Sequence, residues 1–166
     1  MRTLKGMISD IRILLPDIRS AHNVGSIFRT ADAAGVSHIY VTGTSPRPID
    51  RFGRKRKDIA KVSLGAEDTV AWEYHEDVQI LLEDLRKKGY TIIAVEQDER
   101  SKNYHEITYT GDVLFIFGNE VQGIDPQIVG YADHIAEIPM YGDKESLNVS
   151  VTAGIMLFHA RQSLIK

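Results

Sequence analysis

The sequence predicts an α/β fold on a mainly parallel, Rossmann-like sheet, and three observations carry that prediction. Short apolar runs rich in β-branched residues recur along the chain. Stretches with helical spacing separate them, and polar clusters follow several runs directly, where open α/β sheets bind ligands. With 166 residues and 43% hydrophobic content, the chain can bury a core of its own and is expected to form one domain over residues 1–166.

The first apolar run is I-R-I-L-L at 11–15. A helix is expected next, with Val24, Ile27, Phe28 and Ala31 on one face, Asn23 at the N-cap position and Gly35 where it stops. H-I-Y-V at 38–41 forms a second strand. Residues 46–62 break the pattern, being poor in apolar side chains and containing Pro and Gly, and read as a solvated loop. Trp72, the single tryptophan, reads as a packing residue rather than a base-stacking platform.

A second helix carries Val78, Leu81, Leu82 and Leu85, ends in Arg86, Lys87 and Lys88, and is closed by Gly89. Strands follow at 91–95, 113–117 and 134–138, and a last helix runs from about Val149 to Leu164. That helix has Val151, Ile155, Phe158 and Gln162 at helical spacing. With Val149, Met156 and Leu157 it is apolar over more of its circumference than one buried face requires.

Composition narrows the function. The chain has no cysteine, which excludes disulfides and thiolate metal sites and fits a cytoplasmic location. The N-terminal stretch through Ile18 lacks the apolar run of a signal peptide, and no segment reaches the roughly 20 apolar residues of a membrane span. The net charge of −3 argues against a generally basic nucleic-acid binder. Its distribution argues otherwise. Arg47, Arg51, Arg54, Lys55, Arg56, Lys57 and Lys61 stand against Asp50 and Asp58, a local excess of five positive charges. This is the one candidate phosphate-contacting patch, with Arg51, Arg54, Lys55, Arg56 and Lys57 as its RNA-binding residues.

Common nucleotide and metal motifs fail. No G-x-G-x-x-G follows a strand. Gly118 and Gly123 have P-loop spacing, but Ile124 and Asp125 stand where Lys and Ser/Thr are needed. The six histidines share no ligand-like spacing, so no metal site is expected, and no G-x-S-x-G elbow supports a serine hydrolase.

Three polar blocks remain, each after a predicted strand: N-V-G-S-I-F-R-T-A-D from Asn23 to Asp32, F-G-N-E-V-Q-G from Phe117 to Gly123, and I-P-M-Y-G from Ile138 with S-L-N-V-S-V from Ser146. In order and spacing they resemble the three motifs of SpoU/TrmH-type RNA 2′-O-ribose methyltransferases of the SPOUT superfamily, and the match covers nearly the whole chain. The resemblance implies a C-terminal deep trefoil knot, an exception to the general rarity of knots. It also implies S-adenosylmethionine as cofactor, held by Val95, Glu96, Gly118, Ile138, Met140, Ser146, Leu147 and Asn148. Gly118 is expected to let backbone approach the ligand, and Ile138, Met140 and Leu147 to wall the adenine.

For the chemistry the resemblance implies Arg29, assisted by Asn23, Glu120, Ser146 and Asn148. A guanidinium stays protonated in proteins, so Arg29 is either an unusual base or a stabiliser of phosphate and alkoxide charge. It could also pair on the helix surface with Asp32, and Glu120 could serve as a first-turn carboxylate of a helix beginning near Asp125. The family implies a homodimer built on the first and last helices. The S-L-N-V-S-V block favours ribose over base methylation, and survival of the polar set disfavours an inactive RNA-binding relative. Without an added N-terminal RNA-binding domain or long extensions, the format favours tRNA over rRNA.

Overall fold

The computed structural model describes residues 8–165, so the start of the N-terminal stretch read above lies outside the described residues. The elements are β1 (Ile11–Pro16), α1 (Ala21–Ala33), β2 (His38–Thr42), α2 (Lys57–Ser63), α3 (Ala66–Thr69), β3 (Ala71–His75) and α4 (Val78–Lys87). They continue with β4 (Thr91–Val95), β5 (Lys102–Asn103), β6 (Val113–Phe117), α5 (Pro126–Val129), β7 (His134–Glu137) and α6 (Val149–Leu164). Seven strands form one sheet in the order β3-β2-β1-β6-β4-β7-β5, with every pair parallel.

Strand burial explains why the apolar runs are continuous. β6 is central and buried along its whole length, and alternate residues feed opposite layers. Val113, Phe115 and Phe117 face the layer built by Val24, Phe28, Ile59, Met156 and Leu157. Leu114 and Ile116 face Leu81, Leu82, Leu85 and Ile128 on the other side. The chain leaves β1 toward β2 and β3, then returns to the opposite half of the sheet. The strand order therefore reverses beside β1 and β6, where such sheets open a crevice at the strand C-termini.

Two local expectations change, the cap of α1 and the loop at 46–62, and two are filled in, Trp72 packing as expected. Asn23 is not the cap of α1: Ser20 is, its hydroxyl accepting from the Asn23 amide at 3.2 Å, which places Asn23 inside the first turn and buries it. The stretch 46–62 is not all loop, because Lys57 opens α2, which packs on α1. Glycine permits that contact, since a Cβ at Gly25 would sit 2.8 Å from the Ile59 carbonyl oxygen. The segment around Trp72 is the edge strand β3, where the half-buried indole packs against the core. The stripe Val151, Ile155, Phe158 and Gln162 is the outer face of α6, whereas Ala153, Met156, Leu157 and Ala160 turn inward. No described helix is long and apolar enough to cross a membrane.

Candidate active site

The C-terminal ends of β4, β6 and β7, with the N-terminus of α6, enclose a cavity of about 460 Å³. Val95, Glu96, Gly118, Ile138, Met140, Ser146, Leu147 and Asn148 all line it, together with Glu120. Residues spread over more than fifty positions thus meet around one space of ordinary small-molecule size. Ile138, Met140, Leu147 and Val95 give it apolar surface, and Glu96, Asn119, Glu120, Ser146 and Asn148 are among its polar residues.

Behind the cavity lies a directional hydrogen-bond chain. Asn23 Nδ2 donates to Glu120 Oε1 at 2.8 Å, and Asn148 Nδ2 donates to Asn23 Oδ1 at 3.1 Å. Asn148 Oδ1 then accepts from the Ser150 amide at 2.8 Å and its hydroxyl at 2.6 Å, capping α6. Glu120 also accepts from the Arg19 and Ser20 amides at 2.9 and 3.1 Å, so its carboxylate serves the start of α1 rather than a helix at Asp125. Asp125 itself caps the short α5. Partial burial pushes the Glu120 carboxyl up, but the hydrogen bonds from Arg19, Asn23 and Ser20 outweigh it and hold the group below its ordinary value.

Two other predicted ligand residues have structural duties. Glu96 accepts from the Ile124 amide at 2.8 Å and the Gln97 amide at 2.9 Å, tying β4 to the loop after β6. The missing Cβ of Gly118 makes room for that loop, not for a ligand: it would lie 2.6 Å from Ile124 Cγ1 and 2.7 Å from the Gly123 carbonyl carbon. Asn119 went without a role in the sequence. Its Nδ2 donates to the Asp17 carbonyl at 2.7 Å while Oδ1 accepts from the Val121 and Gln122 amides, pinning the loop to the end of β1. A Gly-Asn pair after a strand was the available signal.

Arg29 stands apart. It is exposed on α1, does not line the cavity, and makes no ion pair among the described residues. Asp32 instead accepts from the Thr69 hydroxyl at 2.8 Å, so the pairing with Arg29 weighed from sequence does not form. The basic patch is also less free than its sequence suggests. Lys55 bridges Glu67 and Asp68 at 2.9 and 2.6 Å, and Arg56 grips Asp58 with two contacts. Arg54 reaches Asp50 at 3.2 Å, while Arg51, Lys57 and Lys61 have no ion pair among the described residues. No described cluster of His, Asp and Glu has the geometry to hold a metal.

Residues 10–158 match the SpoU rRNA Methylase family, a span that includes all three polar blocks. The chain belongs to this family. Among its relatives, a tRNA (guanosine(18)-2′-O)-methyltransferase of Aquifex aeolicus is 36% identical over 154 residues, covering 92% of this chain and 69% of the relative. The Thermus thermophilus enzyme of the same name is 31% identical over 163 residues, covering 95% and 77%. The fold matches an S-adenosylmethionine-bound rRNA methyltransferase of Sinorhizobium meliloti with a TM-score of 0.85 at 28% identity, over 96% of this chain and 58% of that one. The family blocks therefore fall on the start of α1, the loop after β6 and the loop leading into α6, which are the walls and backing of the cavity.

Proposed function

We propose that the chain is an S-adenosylmethionine-dependent RNA ribose 2′-O-methyltransferase acting on tRNA in the cytoplasm, and that it works as a homodimer. The observation that carries this reading is the convergence of all eight expected cofactor residues on one cavity, backed by the Glu120–Asn23–Asn148 chain. The tRNA-directed relatives from Aquifex and Thermus favour tRNA. Family membership also supports a knot in the C-terminal part, where the loops around Gly118 and Leu147 meet at the cavity.

The residues present suit the cofactor. Ile138, Met140, Leu147 and Val95 offer an apolar wall to a purine, and the cavity volume suits a ligand of that class. When bound, S-adenosylmethionine supplies a methyl carbon activated by a sulfonium. The chain's part is to orient a ribose hydroxyl toward that carbon, exclude water and accommodate the charge that develops on oxygen. Asn23 and Asn148 are locked in position by their neighbours, Ser146 sits exposed at the cavity rim, and neither asparagine needs to reorganise during the reaction.

Arg29 takes the role of phosphate and alkoxide stabiliser, because guanidinium groups keep their proton. Its exposure on α1 and its absence from the cavity lining of its own chain support a two-fold assembly in which a second copy brings Arg29 to the site. Val151 and Phe158 on the outward side of α6, 50% and 45% exposed, with Ile165 just past its end, support the same dimer.

Calorimetry with S-adenosylmethionine and transfer of a labelled methyl group to unmodified tRNA test the reading. Cofactor binding without added metal and label resistant to base removal but retained on ribose are expected. Binding of NADH in place of the adenosyl compound, or label on a base, would overturn it.

A further inference from the structure

The segment joining β2 to α2 is a rigid hairpin organised by Asp50. Ile49 and Lys55 pair as an antiparallel bridge. The Asp50 amide donates to the Arg54 carbonyl at 2.8 Å, and the Arg56 amide to the Pro48 carbonyl at 2.9 Å. The Asp50 carboxylate accepts from the Phe52 and Arg54 amides at 2.8 and 2.9 Å. This framework presents Phe52 to solvent, 65% exposed. The guanidinium carbons of Arg51 and Arg54 lie 4.8 and 5.0 Å from its ring centre.

We propose that Phe52 is a stacking platform for an unpaired nucleobase of the RNA substrate, with Arg51 and Arg54 meeting the phosphates on either side. This rests on the RNA methyltransferase reading and adds a contact surface outside the cavity. The ligand must offer flat apolar faces alternating with negative charge, since ring and cations are interleaved on one tip. Single-stranded nucleic acid has that composition, and base stacking on an aromatic ring tolerates any base. Arg51, Lys57 and Lys61, which have no ion pair among the described residues, supply attraction for the backbone. A second cation–π pair, Arg47 at 3.8 Å from the Tyr74 ring centre, stands near the same hairpin.

Position supports the assignment. The hairpin follows the C-terminal end of β2, and the cavity also lies at strand C-terminal ends. β2 is separated from β6, the nearest strand that lines the cavity, only by β1, which puts those two strands about 10 Å apart at about 4.8 Å per strand spacing. An RNA segment laid across the strand ends would run from the hairpin toward the cavity.

The test uses the full chain and an unmodified tRNA transcript, with binding measured at several salt concentrations. Phe52→Ala is expected to weaken binding about ten-fold. Its salt dependence should be unchanged, because no charge is lost. Phe52→Trp should bind within two-fold of the unaltered protein, and its added tryptophan emission should be quenched by RNA. S-adenosylmethionine affinity and oligomeric state should not move. Affinity of Phe52→Ala within two-fold of the unaltered protein overturns the proposal. So does full recovery by Phe52→Leu, or a change in assembly alone, either of which would mark Phe52 as a protein contact. If the unaltered protein methylates RNA and Phe52→Ala binds normally, only the stacking role falls. If the unaltered protein neither binds nor methylates RNA, the functional reading falls with it.

Discussion

Glu120 sets the direction of every hydrogen bond behind the cavity. A carboxylate can only accept, so Asn23 must turn its Nδ2 toward Glu120 and its Oδ1 toward Asn148. Asn148 must then donate through Nδ2, which leaves its Oδ1 to cap α6. Two substitutions separate cap from network. Asn148→Ala should lose the cap, costing about 1 kcal/mol of stability, and also lose methyl transfer. Asn148→Asp keeps a capping oxygen but cannot donate to Asn23. Its other oxygen would face the fixed Asn23 Oδ1, so it should cost about 1 kcal/mol in urea unfolding despite the retained cap, while losing at least about ten-fold in turnover. Equal activity of Asn148→Asp and the unaltered chain would show that the donor to Asn23 is dispensable. The partners in this chain were individually legible, since all three lie in the motif blocks. Their connection was not, because Asn23 and Asn148 are 125 residues apart and only the folded sheet sets their separation.

At the scale of elements, the hairpin before α2 is anchored by a buried acid. Glu67 is 5% exposed and accepts from the Ser63 hydroxyl and, at 3.0 Å, from the Gly65 amide, while its other oxygen meets Lys55. Burial raises its pKa, but the hydrogen bonds from Ser63 and Lys55 prevail and bring it from 4.5 down to about 2. A folded value below the unfolded one means stability that is complete above about 4.5 and lost as pH falls toward about 2. Glu67→Gln should therefore cost about 1–3 kcal/mol at neutral pH, at the lower end because Lys55 is half exposed. The gap between variant and unaltered protein in urea unfolding should narrow between about pH 4.5 and pH 3. A gap that stays constant down to pH 3 would assign the loss to packing instead. None of this was visible in the sequence, where 46–62 looked like solvated loop. The strands legible in the sequence were those with a buried apolar stretch of two or more residues, most fully β6 and least β7. β3 escaped because an edge strand with exposed Ala71 and Glu73 has no such run, and β5 is only two residues long.

Arg29 is exposed on α1 and does not line the cavity of its own chain, a separation that a second copy would bridge under the proposed dimer. Phe158 and Val151, 45% and 50% exposed, are the α6 residues to alter; Met156 is fully buried and belongs to the core of one chain, so Met156→Asp tests folding and not assembly. Phe158→Asp would place an unpaired carboxylate in an apolar contact, which costs several kcal/mol, and should shift sedimentation equilibrium from twice the 18.6 kDa chain mass toward that mass itself. Arg29→Ala should leave the dimer and cofactor affinity intact while lowering turnover by at least about 100-fold. The decisive experiment combines two inactive chains. If each site takes Arg29 from one copy and Asn148 from the other, co-expressed Arg29→Ala and Asn148→Ala chains form mixed dimers with one complete site and one doubly damaged site. Random pairing makes half the dimers mixed, so about a quarter of the unaltered activity should return. Recovery of that size, absent from either variant alone, requires a shared site. No recovery from a demonstrated mixed dimer would place Arg29 and Asn148 in the same chain's site and remove the reason for the second copy.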